Sequence, residues 1–317
     1  MKVLITGATG LIGSKLTALC LEAGMTVHYL TTSKAKIKTS TNNCKGFYWN
    51  PAQGEIDETA LKDVTAIVHL AGASIARKWT TSYRKEIIDS RVKSATLLLK
   101  TVAKWKDDPV SLNDQPLMHF ISASAIGGYP SSLTKEYSET YPEYAKGFLG
   151  EVIEAWEGAA FAFRKLEIAV SVLRTGIVID PEFGAFPKMA NPIKKGIGAA
   201  LGSGDQWQSW IHSIDAARLY FYVLQHKLEG IYNVVAPSPI TNKQLTTLIG
   251  KYLKRPILLP AVPTFTLKLL LGKMASIVLE SQKVSSQKIM DTGFEFHYTI
   301  AEHAIEDCCQ HYLSPKN

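Results

Sequence analysis

The first thirteen residues, Met1-Lys2-Val3-Leu4-Ile5-Thr6-Gly7-Ala8-Thr9-Gly10-Leu11-Ile12-Gly13, restrict the fold more than any other stretch. An apolar run of strand length enters a turn with glycine at every third position. A helix pattern follows, with Leu16, Leu19, Cys20 and Ala23 on one face. Gly7 permits the tight turn, Gly10 lets backbone come up to a pyrophosphate, and Gly13 lets the helix close on the sheet. The free N–H groups of Leu11 and Ile12, with Thr9 in the same turn, then face an anion at the helix start. The spacing alone is a weak signal; the strand before it and the helix after it supply the confirming context.

Downstream, buried-strand patterns alternate with helix patterns. Ala66–Ala73, Leu117–Tyr129 and Ile168–Arg174 read as parallel strands, and about 82–105 and 148–163 read as helices. This alternation predicts an α/β fold, a Rossmann-type doubly wound parallel sheet with a smaller C-terminal α/β lobe. Near residue 180 the pattern changes, with Pro181, Pro187, Pro192 and several glycines marking irregular segments. The expected division is a nucleotide-binding domain over 1–180, which also takes in a strand near 231–235, and a substrate lobe with a helical C-terminal domain over 181–317. A 46% hydrophobic composition suffices for such a core. Net charge is +7, but the basic residues are spread along the chain, which argues against nucleic-acid binding. Cys20, Cys44, Cys308 and Cys309 have no metal-ligand or redox spacing, so no metal is expected, and a reducing, cytoplasmic compartment is. The N-terminus is already strand one, so no signal peptide is expected. The apolar run Phe265–Leu279 is interrupted by Lys268 and Lys273; it is too short and too charged to span a membrane and reads as an amphipathic helix.

Chemistry-bearing residues collect at the carboxyl ends of the strands, where open α/β sheets carry their sites. Strand two, Thr26–Thr31, ends beside Thr32, Ser33 and Lys34, and no Asp or Glu occurs between Glu22 and Glu55. An acid there would select NAD; hydroxyls and lysines (Lys34, Lys36, Lys38, Lys45) accommodate a 2′-phosphate, so NADP(H) is favoured over NAD(H). Leu70, Ala71 and Gly72 let a cofactor lie against backbone, and His69 reads as a packed residue. Arg91, on the helix that also carries Glu86, is open to two readings, a phosphate contact or a surface ion pair. Ser124 and Tyr129 close another strand and are candidates for touching substrate. On the helix from Phe148, Glu151, Glu154 and Glu157 are expected on the polar side.

Thr6-Gly7-x-x-Gly10-x-x-Gly13, His69-Leu70-Ala71-Gly72 and Leu173-Arg174-Thr175-Gly176 resemble the extended short-chain dehydrogenase/reductase superfamily. More narrowly, the chain is similar to sulA-type epimerase-family proteins. That resemblance rests on Arg77-x-Trp79-Thr80, Ser90-Arg91, Trp156-Glu157, Leu201-Gly202-Ser203-Gly204, Trp210-Ile211-His212, Ala236-Pro237, Arg255-Pro256, Leu270-Leu271-Gly272 and Ser281-Gln282-Lys283-Val284. It implies an NADP-type cofactor held by the glycine turn, Thr31, Thr32, Leu70, Ala71, Glu86, Arg91 and Val178. Thr32 stands where the family often has an arginine. The superfamily's Tyr-x-x-x-Lys acid/base pair has no counterpart on the expected helix, where the spacing falls on Phe148 and Val152. Of the thirteen tyrosines, only Tyr312 has a lysine four residues on, Lys316, in the terminal tail.

Two functions follow. One is an oxidoreductase or sugar-nucleotide epimerase acting on a small-molecule substrate, with Ser124 holding a substrate oxygen. Its proton would move through Tyr129, through Glu151 if burial raises its pKa, or through Lys188 or His212. The alternative reading of Glu151 is a solvated helix carboxylate. The other function is a dinucleotide-binding module that senses redox state or organises a partner. The helices at 82–105 and 146–164 leave open a homodimer through a four-helix interface.

Overall fold

Each buried apolar run becomes a strand covered on both faces, and each amphipathic run becomes a helix lying over it. A computed structural model of the chain describes residues 1–37, 43–107 and 116–313. Lys38, Lys316 and most of the polar loop at 107–115 lie outside the described residues. The chain begins with β1 (Lys2–Thr6), α1 (Leu11–Glu22), β2 (Thr26–Thr31), β3 (Cys44–Asn50), β4 (Glu55–Ile56) and β5 (Ala66–His69). It continues through α2 (Thr81–Asp107), β6 (His119–Ala125), β7 (Glu136–Tyr137), α3 (Phe148–Phe161), β8 (Ala169–Thr175) and β9 (Ile177–Ile179). Then come α4 (Phe186–Lys194), β10 (Trp207–Gln208), β11 (Trp210–His212), α5 (Ser213–His226), β12 (Gly230–Val234) and β13 (Ile240–Thr241). The last elements are α6 (Asn242–Tyr252), α7 (Thr264–Leu271), α8 (Ser276–Leu279), β14 (Lys283–Val284), α9 (Gln287–Met290) and α10 (Ala301–Leu313).

The main sheet runs β12-β8-β6-β5-β1-β2-β3-β4, with every pairing parallel except β3 with β4. Strand order reverses at β1, so a crevice opens beyond the carboxyl ends of β1 and β5, beside the glycine turn. Alternation along β1 sends Val3 and Ile5 to one face, against Leu16 and Cys20 of α1 and Leu219, Tyr220 and Val223 of α5. Leu4 goes to the other face with Ile67, Leu98 and Phe163. Phe120 and Phe163 stack there with ring centroids 3.7 Å apart. Burying each such side chain contributes about 1.5–3 kcal/mol. Thus α5 completes a helical layer of the main sheet from beyond residue 180, in addition to the strand expected near 231–235.

A second core forms among α4, α6 and α10, from Phe186, Trp210, Leu245, Ile249, Ile305 and Cys308. Cys308 and Cys309 are buried free thiols that serve as packing residues. Thr241 caps α6 as its hydroxyl implies: its oxygen accepts from the Gln244 N–H, and the Gln244 side chain accepts from the Thr241 N–H. Two expectations need correction. The run from Phe265 to Leu279 is not one helix, because Gly272 takes φ +57 and ends α7. Glu157 is not on the polar side of α3; it is only 1% exposed. Steps of three residues drift by about 60° each, so Glu157 lies about 120° round from Glu151.

His69 and His119 are buried on the interior strands β5 and β6, and burial pushes both imidazoles down to about 4. The unfolded chain therefore takes up protons first as pH falls. Stability from this source is complete above the ordinary histidine value and is lost as pH drops from about 6.5 towards about 4. Urea unfolding across that window should show stability falling by roughly 1 kcal/mol per pH unit for each imidazole. A flat profile contradicts this assignment.

Candidate cofactor cleft and the buried network beside it

The glycine turn is built around an absence of side-chain room. The Gly10 N–H donates to Gly7 O at 2.9 Å, and the Ser14 N–H donates to Gly10 O at 2.9 Å as the first bond of the α1 ladder. The N–H groups of Leu11, Ile12 and Gly13 precede that ladder and point out of the helix start. Gly7 has φ +71, and a Cβ on Gly13 would lie 2.1 Å from Gly7 O. Next door, Thr6 Oγ1 accepts from the N–H groups of Leu70 and Ala71, both at 3.1 Å. Its own proton goes to His69 Nδ1 at 2.8 Å, which leaves the ring proton on Nε2, donated to Ser94 Oγ at 3.0 Å. Ser94 in turn donates to Ser90 O at 2.6 Å. His69 therefore ties β1 and β5 to α2, in keeping with its reading as a packed residue.

Most of the expected cofactor residues converge here. Ile12, Leu70 and Val178 pack on one apolar cluster, and Gly184 comes against Leu11. Beside them, Lys15 of α1 reaches Asp180 at 3.3 Å. Burial would raise the Asp180 carboxyl, but donors from Ser213, Glu182 and Phe183, together with Lys15, hold it below the ordinary range. Arg91 lies against Gly72, donates to the carbonyls of Ala73 (3.1 Å) and Ile87 (2.9 Å), and stacks over Trp156 at 4.6 Å. It is buried, so the surface ion-pair reading fails. Its Nε, also buried, has no partner among the described residues. At the end of β2, Thr31 Oγ1 accepts from the Ser33 N–H, Thr32 is exposed, and Lys34 Nζ lies 5.1 Å from the Tyr48 ring centre. Thr9 and Gly10 are exposed at the turn, and Glu86 is exposed on α2.

One rung away the sheet carries a buried polar network. Ser124, Arg174 and Asn233 are register neighbours at the ends of β6, β8 and β12. The Arg174 guanidinium holds Glu157 with two bonds of 2.8 Å. Ser124 donates to the same carboxylate at 2.6 Å and Tyr144 at 2.7 Å. Burial would lower the Arg174 pKa, but Glu157 outweighs it and keeps the guanidinium charged. Burial and the Glu157 charge push Tyr144 well above the ordinary phenol range. Tyr129 is buried, donates to Asn233 Oδ1 at 2.9 Å, stacks on Tyr137 and lies under Arg174; burial raises its pKa.

The other proposed proton carriers lie elsewhere. The Glu151 side chain is 63% exposed and faces Arg84 at 4.0 Å, so the solvated reading holds and the burial that an acid role needs is absent. Lys188 is exposed on α4. His212 is buried; its Nδ1 accepts from the Ile214 N–H, which directs Nε2–H towards Asp307 at 3.4 Å. Sequence reasoning missed Glu157, Arg174, Tyr144 and Asn233. The only signal was the pairing of an arginine inside a buried strand with a glutamate on the adjacent helix, since such charges stay buried only in pairs.

The NAD dependent epimerase/dehydratase family model matches residues 3–235, and a domain of unknown function (DUF1731) matches residues 262–308. This chain belongs to the NAD dependent epimerase/dehydratase family. Within that family, it is 33% identical to an epimerase family protein of Staphylococcus aureus, over 96% of this chain and 97% of that one. It is 34% identical to the chloroplastic SDR39U1 homolog of Arabidopsis thaliana, over 98% of this chain and 87% of that one. Among solved structures, human epimerase family protein SDR39U1, crystallised with NADPH, is 28% identical, with a TM-score of 0.82 over 98% of this chain and 99% of that one. The UDP-glucose 4-epimerase of Thermus thermophilus, solved with NAD, shares the fold at 19% identity and a TM-score of 0.76, over 98% of this chain and 99% of that one.

Removing one partner of the Arg174–Glu157 pair leaves a buried charge unanswered. Glu157→Ala should cost about 3–5 kcal/mol in urea unfolding, whereas the double variant Glu157→Leu/Arg174→Met should cost clearly less. Equal losses in the single and double variants contradict this role.

Proposed function

We propose that this chain binds NADP(H) and acts as an oxidoreductase or sugar-nucleotide epimerase without the usual Tyr-x-x-x-Lys pair. The observation that carries this reading is the cradle at the head of α1. Three N–H groups outside the helix ladder meet a turn with no room for a side chain, at the point where strand order reverses. A diphosphate suits that site. The unpartnered Arg91 Nε gives a second polar group to a bound dinucleotide. The preference for a 2′-phosphate is supported by the acid-free interval after Glu22 and by the hydroxyls of Thr32 and Ser33 beside Lys34. NADPH in the human relative supports the same choice, and NAD(H) is the alternative.

A bound nicotinamide supplies the hydride; the residues of this chain supply position. Ser124 and Tyr144 both spend their hydroxyl protons on Glu157, and Tyr144 stays protonated near neutrality. Such groups orient a substrate oxygen and leave proton delivery to solvent or to the substrate. A second reading, a dinucleotide-binding module without turnover, is favoured by Phe148 and Val152 standing where the acid/base pair is expected.

The two readings separate in one experiment. NADPH-loaded protein is mixed with a panel of carbonyl compounds and sugar nucleotides, and both nicotinamide absorbance and epimer composition are followed. Oxidation of the cofactor, or interconversion of a sugar nucleotide, is expected with at least one compound. A tightly held cofactor that no compound oxidises, with no epimer formed, selects the module.

A further inference from the structure

One surface belongs to neither the cleft nor a core. In α7, Leu267 alone is buried, while Phe265 is 73%, Leu269 83% and Leu270 74% exposed. Leu258, on the loop that feeds the helix, is 83% exposed. This segment is held at both ends. The Val262 N–H donates to Ala200 O at 2.8 Å, and the Gly202 N–H donates to Val262 O at 2.9 Å. Beyond Gly272, Met274 and Ile277 pack against the cluster of Trp79, Ile87 and Val152. The exposed side chains are thus presented by a fixed element.

From Lys254 to Leu279 the cations are Lys254, Arg255, Lys268 and Lys273, and there is no Asp or Glu. An open groove of about 600 Å³ alongside is also lined by Lys243 and by Lys251, the latter paired with Glu302 at 2.6 Å. A second copy docked about a two-fold axis would set these cations face to face with no acid in the segment to answer them. Among the described residues, α2 and α3, the helices of the expected four-helix interface, contribute none of the large exposed hydrophobic side chains. Apolar side chains standing out between cations match the headgroup region of an anionic bilayer. There, leucine and phenylalanine enter the acyl boundary and ammonium groups meet lipid phosphates and carboxylates.

We propose that the 254–279 surface docks this protein onto an anionic lipid bilayer. The contact is peripheral, since no helix among the described residues is long and apolar enough to cross a membrane.

The test is co-sedimentation of the full chain with phosphatidylcholine vesicles, with and without about one third phosphatidylserine. Binding is expected on the serine-containing vesicles, weakly or not at all on phosphatidylcholine alone, and is expected to fall as salt rises from about 0.1 M to about 1 M. Leu269→Glu/Leu270→Glu and Lys268→Glu/Lys273→Glu should each weaken it at least about tenfold. Both variants should keep the wild-type thermal unfolding, because the replaced side chains lie outside the core. No binding to the anionic vesicles, equal binding to both kinds, or undiminished binding of the leucine variant overturns the proposal. A dimer in sedimentation equilibrium that Leu269→Glu dissolves, with no vesicle binding, assigns the surface to a second copy and also overturns it.

Discussion

The start of α1 lies so close to the end of β1 that Gly13 has no room for a side chain, and much of the cleft follows from that contact. Gly7 turns with positive φ and presents its carbonyl to Gly10, and the first helical N–H groups are left facing outward. Thr6, the last residue of β1, gathers the N–H groups of Leu70 and Ala71 from the loop that follows the neighbouring strand β5. The two loops that flank the crevice are therefore stitched together by the protein itself. An anion that binds there meets donors already aligned, so little ordering cost falls on binding.

The Arg174–Glu157 pair governs the other side of the cleft. It sits on the rung where three strand ends carry Ser124, Arg174 and Asn233, and it draws the hydroxyls of Ser124 and Tyr144 inward. A buried ion pair gives up solvation on both partners, and only satisfied geometry offsets that. Here the carboxylate accepts from Arg174, Ser124 and Tyr144. The polar groups nearest the expected chemistry are thus committed to one another, which explains why a cofactor site is easier to read in this chain than a reaction.

The glycine turn and the fully buried strands were legible because each rests on a short-range pattern. The inward turn of Glu157 was not, because three-residue spacing looks like one face of a helix and drifts off it within two steps. Arg91 was open to two readings in sequence, since its carbonyl partner Ala73 is set by how a loop folds back onto α2. Glu151 and Glu157 are both glutamates of one helix, yet one faces solvent and the other a guanidinium, because six residues carry the helix about 120° round. The run from Phe265 reads in sequence as one amphipathic helix, but Gly272 ends α7 within it, and of the α7 leucines only Leu267 turns inward.

Titration of NADPH and NADH into the purified chain, followed by nicotinamide fluorescence, reads the cradle directly. Saturable one-to-one binding is expected, tighter for NADPH than for NADH and lost in Gly10→Val. Failure of both dinucleotides to bind, or unchanged affinity in Gly10→Val, contradicts a phosphate cradle at the glycine turn.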